Sequence, residues 1–199
     1  MRATRRTIAG AAMIAALSLG GAVAAQAAEA VQWNPQNTVE PLTLASGTQL
    51  VMTANTGVTV TCNTVSGNVQ APVGGNPAVA GTVDSSGAPA APTITDCTNS
   101  LAPSAATTVT PSGQWLATAT STGSVDITQA SATVTISGMC TITVDNAAVA
   151  GNAWDNGTHQ VTANSGASFP ISESGLLCDG ANSATLSGTL QLPAEVTIS

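Results

Sequence analysis

The sequence predicts an all-β protein: an antiparallel β-sandwich, Ig-like or jelly-roll-like, held by two disulfides. Three observations point there. Stretches rich in Thr, Val and Ile alternate in polarity with a period of two. Turn residues recur between those stretches, and no amphipathic helical pattern follows the N-terminal segment. Four cysteines stand in a chain that carries an export signal.

The clearest stretch is Ala132 to Val144. Ala132, Val134, Ile136, Cys140, Ile142 and Val144 share one parity. Thr133, Thr135, Ser137, Met139, Thr141 and Thr143 take the other. Strand side chains alternate between faces, so one face is apolar and the other carries hydroxyls. The phase is kept across Gly138. A two-residue turn at Ser137-Gly138 would put the two apolar sets on opposite faces. The pattern therefore fits one long strand kinked at Gly138, or a hairpin with a three-residue loop over 137–139. In both cases Cys140 points into a core.

In chain order, residues 1–27 read as a signal peptide. Arg2, Arg5 and Arg6 form a basic start, and Ile8 to Ala25 is apolar and uncharged. Small residues flank cleavage points after Ala27 and, alternatively, after Ala30. Thr4-Arg5-Arg6-Thr7-Ile8 is a partial twin-arginine match, and Sec export is the expected route. No cysteine follows the apolar stretch, which argues against a lipid anchor. Residues 28–41 form an extended lead-in with Trp33 and two prolines. It is expected as an edge segment or a tail.

A first β unit is expected over 42–111. Leu50 and Met52 share a parity, as do Val58, Val60 and Cys62, with Asn55-Thr56-Gly57 as the turn between them. Residues 70–112 hold Pro72, Pro77, Pro89, Pro92 and Pro103 with Gly74-Gly75 and Ser85-Ser86-Gly87. This is loop chemistry, crossed by a short strand from Thr93 to Cys97.

A second β unit is expected over 112–199. Strands are read at 114–120, 124–128, 132–144, 158–163, 167–172, 184–192 and 195–198. Turns at Ser121-Thr122-Gly123, Asp155-Asn156-Gly157, Asn164-Ser165-Gly166 and Asp179-Gly180 separate them. Ser46-Gly47, Leu50 and Thr56-Gly57 recur at a constant offset as Ser112-Gly113, Leu116 and Thr122-Gly123. The recurrence reads either as an internal duplication or as chance similarity in a Thr-, Gly-, Ala- and Ser-rich chain.

Charge excludes several functions. All 3 basic residues are arginines within the first six positions. The exported chain would keep the 10 Asp and Glu with no Lys or Arg. Phosphate recognition rests on Lys and Arg, so nucleic acid is excluded as a partner. Anionic membrane surfaces are disfavoured for the same reason, and no membrane span is expected after export. Stability must come from apolar burial, backbone ladders and disulfides. Three cysteine pairings are possible. Cys62–Cys97 with Cys140–Cys178 is favoured, because each half then has its own cross-link.

Catalytic and metal-binding chemistry is sparse. The 1 histidine, His159, follows a turn, and no Gly-x-Ser-x-Gly elbow exists. A zinc site lacks ligands if the cysteines are oxidised. The acids are scattered singly, unlike the carboxylate pair of a glycosidase. Calcium is the one cofactor considered, with Asp145, Asp155 and Asp179 as loop oxygen donors, none in an EF-hand pattern. The sequence thus indicates no catalytic site, no cofactor-binding site and no enzyme activity.

The Ala-rich signal with Arg5-Arg6, the basic-free mature chain, the Thr-x-Thr strands bearing Cys62 and Cys140, and Ser112-Gly113-Gln114-Trp115-Leu116 together resemble small secreted proteins of high-GC Gram-positive bacteria. That resemblance implies secretion and carries no functional residues. The composition is also similar to that of the immunoglobulin-like apoproteins that carry enediyne antibiotics. Those have short-range disulfides, unlike the favoured pairing here.

Three functions remain open. The first is extracellular or envelope-associated binding or adhesion, to a protein or a glycan. The second is a self-assembling surface subunit, built through strand edges. The third is a small-ligand carrier or an inhibitor using the Pro-rich loop.

Overall fold

The computed structural model describes residues 31–71, 74–83, 89–120 and 123–199. The expected signal peptide, Pro72, the Ser85-Ser86-Gly87 turn and Ser121-Thr122 lie outside them. Every regular element among the described residues is a β-strand, and every strand pair is antiparallel.

The chain opens with β1 (Trp33–Asn34), β2 (Val39–Leu44), β3 (Leu50–Ala54) and β4 (Thr59–Gln70). Next come β5 (Ala78–Val83), β6 (Pro89–Ala90), β7 (Thr93–Asn99) and β8 (Thr107–Ser112). β9 (Trp115–Ala119), β10 (Ser124–Ile136) and β11 (Cys140–Asp155) form the middle. β12 (Gln160–Thr162), β13 (Ser168–Pro170), β14 (Ser172–Ser174), β15 (Ser183–Ser187), β16 (Thr189–Gln191) and β17 (Thr197–Ile198) complete it.

Three long strands organise the rest. Along one side of β4, β3 pairs with its first half and β2 with its second; along the other, β7 is followed by β5. β10 pairs with β9 near its start, with β8 near its end, and with β11 along its other side. β11 pairs with β14 at one end and β12 at the other. Each long strand therefore changes partners midway.

These changes close the sheet on itself twice. One circuit runs β4–β2–β16–β12–β11–β10–β9–β5 and back to β4. The other runs β4–β3–β15–β13, continues through Ile171 into β14, and returns by β11–β10–β8–β7. The two faces that a sandwich brings together belong here to one continuous sheet. Closure also leaves few free edges.

Each circuit has its own apolar cluster. The first gathers Leu42, Val69, Ala78, Ala80, Ala117, Ala119, Val125 and Val161, with Trp33 buried among them. The second gathers Met52, Val60, Val65, Ile94, Val134, Ile142 and Phe169. Both draw on residues from either side of position 112. Asn152 is fully buried and saturated: Nδ2 donates to the carbonyls of Val125 and Val149, and Oδ1 accepts from the Asn164 N–H.

The Ala132–Val144 pattern resolves as the hairpin. Ile136 lies opposite Cys140, and residues 137–139 form the loop. The Met139 N–H bonds the Ile136 carbonyl at 3.0 Å, and Gly138 takes φ +72°, which glycine adopts without strain. Val134, Ile136, Cys140 and Ile142 are buried, as the parity requires. The strand does not stop at Val144 but runs on to Asp155. Asn146 adopts a left-handed φ of 48° within it, so polar Asp145 and Asn146 mark an irregularity rather than an end.

Residues 70–112 hold more strand than expected. β5, β6 and β8 lie there besides the predicted strand, which extends from Thr93 to Asn99. Ala78 and Ala80 face the first cluster, and alanine gives little strand signal in sequence. The lead-in is also partly strand. β1 pairs with β17, placing Trp33 opposite Ile198.

The recurrent motif has a geometric counterpart. Leu50 pairs with Cys62 and Thr53 with Thr59; Leu116 pairs with Thr128 and Ala119 with Val125. The two hairpins share register, and Gly57 and Gly123 both have positive φ.

Candidate ligand-binding cavity

The second circuit contains a cavity of about 90 Å³. It sits at the seam where the long strands change partners. Leu50, Met52, Val60, Val134 and Phe169 are among its walls, with Trp115 and Leu186 alongside.

Local sequence explains the space. β10 and β11 slip register around Ala130, where Gln129 takes a left-handed φ of 59°. At this irregularity the lining side chains are small. Ala130 pairs with Ala147, and both line the cavity together with Ala132. Closed interiors normally fill to crystal-like density, so small residues at a bulge leave a void unless a neighbour reaches in.

The lining is almost wholly apolar. Ser131 is its one polar residue, and its Oγ already accepts the Asn146 N–H at 2.9 Å. The Trp115 indole N–H is shared by the carbonyls of Ser112 (3.1 Å) and Ser131 (3.3 Å). This satisfies its polar atom with backbone and leaves the ring system as wall. Among the described residues, no buried side-chain polar atom lacks a partner. A cavity so lined repels water and favours hydrocarbon.

Of the cysteine, histidine and calcium-candidate residues singled out in the sequence, only Cys62 borders the cavity. Cys62–Cys97 and Cys140–Cys178 are both bonded, as the favoured pairing requires. Cys62 and Cys97 are direct cross-strand partners, and Cys62 also touches the cavity. Cys140–Cys178 ties the loop after β14 to the start of β11.

His159 has a left-handed φ of 56°, and its Nδ1 lies 2.9 Å from the Val196 carbonyl. A carbonyl only accepts, so Nδ1 carries the proton there. Asp155 caps the same turn. Its Oδ1 accepts the Gly157 N–H at 2.7 Å, and that bond holds the carboxyl below its ordinary 3.8.

The three calcium candidates are not brought together. Asp145 lies exposed in β11, Asp155 at the end of the same strand, and Asp179 in the loop before β15. Asp179 instead shares a side-chain hydrogen bond with Glu173. Burial, then the hydrogen bond with Asp179, raises Glu173 above 4.5. A hydrogen bond from Thr56 chiefly lowers Asp179. Glu173 Oε2 accepts the N–H groups of Gly180 and Ala181 at 2.9 and 3.0 Å.

Among the described residues, one trio of potential ligand atoms lies within 4.8 Å: Cys140, Glu173 and Cys178. Its sulfurs are joined to each other, so neither is a thiolate ligand.

Sequence reasoning missed the cavity. The available signal was the run of alanines at 130, 132 and 147 among bulkier apolar positions. No protein-family model, curated protein or solved structure matches this chain.

Proposed function

We propose that this is an exported, non-catalytic protein that works by binding, and that it carries a small apolar ligand in the cavity beside Trp115. The apolar lining, with its only polar group engaged, is the observation behind this reading. Binding pockets of this kind are concave, apolar and preformed. Export is read from the N-terminal segment, and the two closed disulfides agree with an oxidising compartment.

The test is binding of the thin neutral alcohol 1-hexanol, followed by isothermal titration calorimetry. Saturable binding by the wild-type protein, abolished in Ala147→Leu, is the expected result. Equal binding by folded Ala147→Leu would place the alcohol elsewhere and end this reading. Ala130→Val provides a milder block should the first variant misfold.

A second reading has its own observation. Leu176 is 100% exposed and Leu177 is 52% exposed, on the loop held by Cys140–Cys178. Adjacent exposed leucines on a tethered loop suit docking to an extracellular protein. Leu176→Ser with Leu177→Ser should then weaken association with the cell envelope and leave 1-hexanol binding unchanged. Undiminished association would rule out this loop as the contact.

A further inference from the structure

Resting on the carrier reading, we infer that the cavity selects a thin, electrically neutral aliphatic chain and discriminates against fatty-acid anions of the same length. Three features of the molecule lead there.

The first is volume. About 90 Å³ is below the roughly 150 Å³ of an engineered apolar cavity that admits benzene. A narrow hydrocarbon end fits this space better than a ring does.

The second is the absence of an anchor inside. Trp115 spends its N–H on two backbone carbonyls, and the Ser131 hydroxyl oxygen holds the Asn146 N–H. A carboxylate entering the cavity would lose its water and find no charged donor, with the Ser131 hydroxyl hydrogen as its one neutral side-chain donor, which is costly for a charged group.

The third is the charge outside. A cation is the strongest partner for a carboxylate head group at the mouth, and this chain has no Lys or Arg beyond Arg6. Its only histidine bonds the Val196 carbonyl, and Val196 belongs to the other cluster. All the acids in the described residues add to a field of one sign, which opposes the approach of an anion. A neutral hydroxyl at the mouth needs only water. Lining, volume and charge therefore select the same ligand class, a straight-chain alcohol or other uncharged aliphatic.

The chain supplies its own probes. Beyond the N-terminal segment it has only two methionines, Met52 and Met139. Met52 lines the cavity; Met139 lies in the hairpin loop and does not. Methyl-labelled methionine NMR can therefore report occupancy at Met52, with Met139 as the internal reference.

The protein is titrated with 1-octanol and, separately, with octanoate at pH 7. The expected result is a saturable shift of the Met52 methyl by 1-octanol. Octanoate should need a concentration at least about tenfold higher, equivalent to about 1.4 kcal/mol. Met139 should stay in place throughout.

Octanoate matching or exceeding 1-octanol at Met52 would overturn the selectivity and leave the carrier reading standing. Cyclohexanol shifting Met52 at lower concentration than 1-octanol would overturn the preference for a thin chain. No movement of Met52 with any of the three compounds would overturn the carrier reading itself.

Discussion

The indole N–H of Trp33 donates to the backbone carbonyl of Ala117 across 2.8 Å, between residues 84 positions apart in sequence. The bond is buried, and the ring stands edge-on to Trp154 with centroids 5.4 Å apart. What reads in sequence as a polar lead-in thus delivers the largest side chain of the first cluster. The other walls there are mainly alanine and valine, too short to fill a closed circuit alone. Trp33→Ala should cost about 3–5 kcal/mol in urea denaturation. Trp33→Phe keeps an aromatic ring but removes the donor, and should cost about 1–3 kcal/mol. A Phe variant as stable as wild type would show that the hydrogen bond contributes nothing net.

The two disulfides close loops of 35 and 38 residues. Chain-entropy arguments assign roughly 3–4 kcal/mol to each. Paired Cys→Ala variants at 62/97 and at 140/178 should each lower the midpoint of denaturation. Their effects should add, because the bonds lie in different parts of the sheet. Equal stability before and after full reduction would contradict this.

Filling the cavity should stabilise the empty protein. Ala147→Val adds two methyl groups at a position that borders open space, on a strand that suits a β-branched residue. A gain of about 1 kcal/mol is expected in calorimetry or urea denaturation. A loss would mean that the walls already meet around this side chain.

Glu173 makes stability pH-dependent in the reverse of the usual carboxylate sense, whereas its lowered neighbour Asp179 acts in the usual one. Glu173 is raised in the folded state, so the fold holds its proton more tightly than the unfolded chain does. Its contribution is fully present below pH 4.5 and is lost as pH rises through the folded value. Glu173→Gln keeps an oxygen to accept the Gly180 and Ala181 N–H groups and removes the ionisation. The variant should match or exceed wild type at pH 7, with a smaller advantage or none at pH 4. Thermal denaturation at both pH values checks it, and a variant less stable at pH 7 than at pH 4, relative to wild type, would reverse the assignment.

Asp155 acts in the opposite direction. Its folded value is lowered, so its contribution holds above pH 3.8 and fades as pH falls through the folded value. Asp155→Asn should therefore flatten the acid limb of the stability curve by lowering stability at neutral pH, with the two proteins converging at low pH. An acid limb identical to wild type would show that the Gly157 N–H bond does not favour the charged form.

The amino-acid sequence by itself determined the all-β class and the buried parity of Val134 to Ile142, narrowed Gly138 to a kinked strand or a three-residue hairpin loop, and favoured the half-by-half cysteine pairing among three. These are local or nearly local properties. A period of two, a glycine at a turn and the spacing of cysteines are carried by neighbouring residues, so they can be read without knowing what packs against them.

Only the tertiary structure decided the rest. β4, β10 and β11 change partners midway, and nothing along one strand announces which neighbour its second half will meet. Ala78, Ala80 and Ala117 are core because the circuit brings them inward, although their propensity for strand is weak. The cavity is less legible still. It is a shortfall of volume among Ala130, Ala132, Ala147 and walls as distant in sequence as Leu50 and Leu186. A missing volume belongs to no residue, so it exists only once the sheet has closed around it.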